Sequence, residues 1–74
     1  MTEEAFLEEM LDILQRDDPL TLDMNLADLD EWDSLATMGI AAFLDRKCGK
    51  RVSFDDIKRM KTVRDIAVAA GLRL

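Results

Sequence analysis

The chain has 74 residues, 49% hydrophobic and 35% charged, with a formal net charge of -6. That length allows one domain with a small core, and the apolar share is too high for a disordered tail. Histidine is absent and Cys48 is the single cysteine, which excludes Ser-His and Cys-His nucleophile pairs, Cys/His zinc sites and an intramolecular disulfide. A self-contained enzyme is not expected.

The first helix should open at Thr2 as N-cap, with Glu3 and Glu4 at the positive end of its dipole. Phe6, Met10, Ile13 and Leu14 then recur at helical spacing, and Leu7 and Leu11 widen the stripe. Asp17-Asp18-Pro19 is expected to stop it, because the residue before proline is pushed out of the α region. A long connection follows, up to Asp33. Its apolar residues, Leu20, Leu22, Met24, Leu26, Leu29 and Trp32, are interspersed with acids, a pattern that predicts a loop pinned onto the core. Trp32 reads as one of the anchors.

The second helix should begin at Asp33-Ser34 and run to about Lys47, with Gly49 just past its end. Ser53 can cap a short helix from Phe54 to Met60. Thr62-Val63-Arg64-Asp65 has the form of a capping box. It opens a last helix carrying Val63, Ile66, Ala67 and Ala70, ended by Gly71. The expected fold class is all-α: a small helical bundle of three main helices plus one short helix, with a long loop between helices 1 and 2.

Charge is divided along the chain. Residues 1–45 hold thirteen acids against Arg16 alone, whereas residues 46–74 hold nine bases against Asp55, Asp56 and Asp65. Nucleic-acid binding by the basic part is not expected, because the acids would repel the same phosphates and no aromatic side chain is interleaved for stacking. The acidic start lacks the regions of a signal peptide, and no apolar run reaches the ~20 residues of a membrane span. A cytoplasmic monomer is the expectation.

Trp32-Asp33-Ser34-Leu35 puts a hydroxyl at a helix N-terminus directly after the long loop. Free backbone N–H groups and the helix dipole there favour a phosphate on that oxygen. Ordinary capping by Asp33 or Ser34 is the competing reading. From Leu26 to Leu44 the sequence (Leu-Ala-Asp-Leu-Asp-Glu-Trp-Asp-Ser-Leu-Ala-Thr-Met-Gly-Ile-Ala-Ala-Phe-Leu) resembles the phosphopantetheine attachment region of acyl carrier proteins. The acidic first helix, long loop, short third helix and Thr-Val at the start of the last helix extend the resemblance over nearly the whole chain.

The resemblance implies that Ser34 receives 4′-phosphopantetheine from coenzyme A through a phosphopantetheinyl transferase, with Asp33 assisting the Mg²⁺-dependent step. Acyl-loading and acyl-processing enzymes would be the further partners. One departure bears on them. After Ser34 the second helix carries no charge until Asp45, Arg46 and Lys47, whereas carriers of bacterial fatty acid synthesis present acids there. Apolar contact must carry more of the recognition, and Leu35, Met38, Gly39, Ala42 and Arg46 are the candidate docking residues. This pattern points to a specialised polyketide, secondary-metabolite or dedicated fatty acyl pathway. An aminoacyl or peptidyl carrier, and a non-carrier interaction module in which Ser34 is only a helix cap, are the alternatives. Cys48 is expected to be buried and inert, although Arg46, Lys47 and Lys50 would lower its pKa if it were exposed.

Overall fold

A computed structural model describes all 74 residues. Four α-helices follow one another: α1 (Glu3–Leu14), α2 (Ser34–Cys48), α3 (Phe54–Arg59) and α4 (Val63–Ala69). One 3₁₀ turn, Leu26–Asp28, lies in the α1–α2 connection, and there is no strand. The all-α bundle with a long first loop is therefore present. Its proportions differ from expectation. α4 has seven residues, against six in α3, so two helices are long and two are short. The reason is local: the Gly71 amide donates to the Val68 carbonyl and the Leu72 amide to that of Ala67, with Gly71 at φ 92°. This left-handed turn closes the helix early, yet Ala69, Ala70 and Leu72 still pack against the core.

The caps are those the sequence indicates, with one exception. Thr2, Ser53 and Thr62 each accept a hydrogen bond from a first-turn amide. Gly49, at φ 64°, ends α2. α1, however, stops before Pro19 is reached. Gln15 takes a left-handed conformation (φ 54°), its amide and that of Arg16 return to Asp12 and Leu11, and its Nε2 donates to the Asp12 carbonyl at 2.8 Å. A non-glycine residue is uncommon in that region, and the two-way bonding to the last turn offsets its cost.

Phe6, Met10, Leu26, Ile40, Leu44, Ile57, Val63 and Ile66 form the wholly buried centre. Phe6 and Phe43 meet with ring centroids 6.3 Å apart. The α1–α2 contact is close at Gly39, where an added Cβ would come within 2.8 Å of Ile13 Cγ2. The long loop is anchored as its pattern predicts: Leu20, Leu22, Leu26 and Leu29 are buried, and Met24 and Trp32 pack against them. Its backbone is stitched to the α3–α4 junction, since the Leu26 amide donates to Lys61 O (2.8 Å), Val63 to Met24 O (3.0 Å) and Arg64 to Leu22 O (2.8 Å). These bonds fix the course of the loop on its way to α2.

Candidate functional site at the start of α2

Asp33 is the N-cap of α2. Its Oδ1 accepts from the Ala36 amide at 2.8 Å, and its carbonyl accepts from the Thr37 amide (3.0 Å) and hydroxyl (2.9 Å). Ser34 is thus the first helical residue and is exposed. Its hydroxyl makes no hydrogen bond within the chain, and the amides of Ser34 and Leu35 are likewise unpaired. The reading in which Ser34 caps the helix is corrected here: the cap is Asp33, and the serine oxygen is uncommitted. No general base is hydrogen-bonded to it.

The loop before it is held by side chains from elsewhere. Arg16 Nη1 donates to Glu31 Oε1 at 2.9 Å, tying the end of α1 to the residue before Trp32. The Glu31 carboxyl is held below its ordinary value chiefly by a hydrogen bond from its own backbone amide; burial opposes this and Arg16 adds to it. Arg16 was not among the expected site residues. Its signal was its isolation, as the single base in the first 45 residues.

Four of the five docking candidates share one exposed face. Leu35 is 76% and Met38 54% exposed, and Ala42 and Arg46 are exposed beyond them. Steps of three and four residues line them up along α2. Gly39 departs from this set, because its side-chain position is turned toward Ile13 of α1. Trp32 is half-buried against the core, as an anchor should be. Cys48 is half-buried too, and burial pushes its thiol up. It is thus less buried than expected, and desolvation outweighs the lowering by Lys50.

No group of three or more acids converges as a metal cage, so Asp33 offers a single carboxylate beside Ser34. A free hydroxyl, two free amides and a helix dipole form a small anion-favouring site at the head of a 15-residue helix. An exposed, uncommitted hydroxyl at a helix head on a small all-helical bundle is the combination the family comparison bears on. Residues 4–69 match the family model described as phosphopantetheine attachment site, and the chain belongs to that family. Its members carry 4′-phosphopantetheine covalently on a serine and are carriers rather than catalysts. No curated protein and no solved structure matches the chain. The head of α2 fits such a group: a phosphodiester on the Ser34 hydroxyl would meet unpaired N–H donors and no competing intramolecular bond.

Proposed function

We propose that Ser34 is the attachment residue and that the protein carries acyl groups between enzymes of a specialised acyl pathway as a cytoplasmic monomer. The uncommitted Ser34 hydroxyl beside a separate capping residue carries this reading. The bound group supplies a thiol on which an acyl chain is held as a thioester. The chain's own residues do the rest. Asp33 keeps the first turn of α2 wound and leaves Ser34 Oγ facing a visiting phosphopantetheinyl transferase, where its carboxylate assists the Mg²⁺-dependent step. The amides of Ser34 and Leu35 favour the negative phosphate. Leu35, Met38 and Ala42, with Arg46 at the far end, offer acyl-loading and acyl-processing enzymes a mainly apolar face, so shape and burial dominate over charge.

Incubation with coenzyme A, Mg²⁺ and a broad-specificity phosphopantetheinyl transferase should add the mass of one phosphopantetheine. Ser34→Ala should remain unmodified with an unchanged thermal melt. Absence of any mass gain across several transferases refutes the proposal. The mass of the loaded form isolated from cells separates an acyl from an aminoacyl or peptidyl cargo.

A further inference from the structure

Of the four ion pairs in the protein, that of Arg16 and Glu31 is the least exposed, at 16% and 28% of the two side chains. It also stands alone in its region. The long loop is bonded to the α3–α4 junction through Leu22, Met24 and Leu26, and Asp23 pairs with Arg64. Beyond Leu26 the pattern changes. Apart from the Arg16–Glu31 contact, the hydrogen bonds of residues 27–32 all stay within residues 25–32. Arg16 thus supplies the one polar tie between the last stretch of loop and another element. Two features set this tie apart from a stabilising contact. The left-handed Gln15 (φ 54°) turns Arg16 out of α1, and local strain of that kind is kept where the surrounding structure uses it. Arg16 Nε is buried without an acceptor, a penalty that erodes what the pair contributes to stability.

We propose that Arg16 and Glu31 are positioning residues for the modification of Ser34, a role that rests on the reading of Ser34 as the attachment residue. Three residues of chain, at most about 11 Å, separate Glu31 from Ser34. Between them lie half-buried Trp32 and the cap, Asp33. With the pair closed, the loop end and the head of α2 meet a transferase in one arrangement. With it open, only the fraction of molecules whose loop end returns to that arrangement binds productively. Apparent affinity falls by that fraction, and the complex once formed reacts as before.

Steady-state kinetics of a phosphopantetheinyl transferase on the full chain, with coenzyme A, Mg²⁺ and product read by mass, test this role. Glu31→Ala, and Arg16→Met, which keeps the aliphatic stem, should each raise the KM for the protein about two- to fivefold and leave kcat unchanged. Arg16→Lys, which keeps the charge, should stay close to the unaltered chain. Asp23→Asn breaks an ion pair of the same 2.9 Å length earlier in the loop and should alter neither constant. Trp32 is the only tryptophan, so its emission, read without any transferase, should shift in Glu31→Ala and not in Asp23→Asn. An unchanged KM in Glu31→Ala, an equal rise in Asp23→Asn, or a fall in kcat in place of the rise in KM overturns the positioning role. Absence of any mass gain on the unaltered chain overturns the attachment reading, and the positioning role falls with it.

Discussion

The N-termini of α2 and α4 use the same elements to opposite ends. At α4 the Thr62 hydroxyl accepts from the Asp65 amide, and the Asp65 carboxylate accepts from the amides of Thr62 and Lys61, so the box is closed. At α2 the cap is one-sided. Asp33 accepts from Ala36, but Ala36 stands where the returning acid would be, and it is 5% exposed against the core. An acid is excluded there by burial. The result is a wound first turn with a hydroxyl and two amides left over. A closed terminus stabilises; an open one keeps a site available.

The largest expected effect separates the two termini outright. Ser34→Ala should abolish phosphopantetheinylation completely, read by mass, while Thr62→Ala leaves it intact; modification of the Ser34→Ala protein would remove the distinction. Moving α2 as a whole comes next. Gly39→Ala gains up to about 1 kcal/mol of helix propensity but forces a Cβ to within 2.8 Å of Ile13 Cγ2, an overpacking that costs about 1–3 kcal/mol. Denaturant melts should show a net loss, and a stabilised variant would contradict the close α1–α2 contact.

Cap removal is smaller. Thr62→Ala and Asp33→Ala should each cost about 1 kcal/mol, but only the Asp33 variant should also slow modification by the transferase. Acidification tests the closed box. The amides of Lys61 and Thr62 hold the Asp65 carboxyl below its ordinary value. Its stabilisation is therefore present above the usual carboxylate range and is lost as the pH falls through its lower folded-state value. Melts of Asp65→Asn should lose less stability on acidification than those of the unaltered chain; equal losses would deny Asp65 this role. The smallest effect lies far from both termini. Because burial raises the Cys48 thiol, alkylation near neutral pH should be slower in the folded protein than in urea, and matching rates would place the sulfur in solvent.

Much of this was legible in the residues themselves. Thr2, Ser53 and Thr62-Asp65 mark helix starts through hydrogen bonds made within three or four residues, so local sequence suffices to find them. The loop's alternation of leucines and acids likewise announced its anchors. The helix ends were harder. Gln15 ends α1 in a conformation that no glycine or proline advertises, and α4 closes sooner than its apolar pattern suggests. Gly39 looked like part of a docking surface because a missing side chain does not reveal which neighbour needs the space.

By itself the sequence determined an all-helical fold class, an acidic first part and a basic last part, and a serine at a helix head after a long loop. Those features depend on composition and on contacts between near neighbours. Only the tertiary structure decided that Asp33 rather than Ser34 caps α2, that Arg16 ties Glu31 to the end of α1, and that Trp32 and Met60 line a groove rimmed with lysines. Each of these joins residues or choices that local spacing leaves open. The long loop bridges distant stretches physically, because its buried leucines and its backbone bonds join it to the core and to the α3–α4 junction.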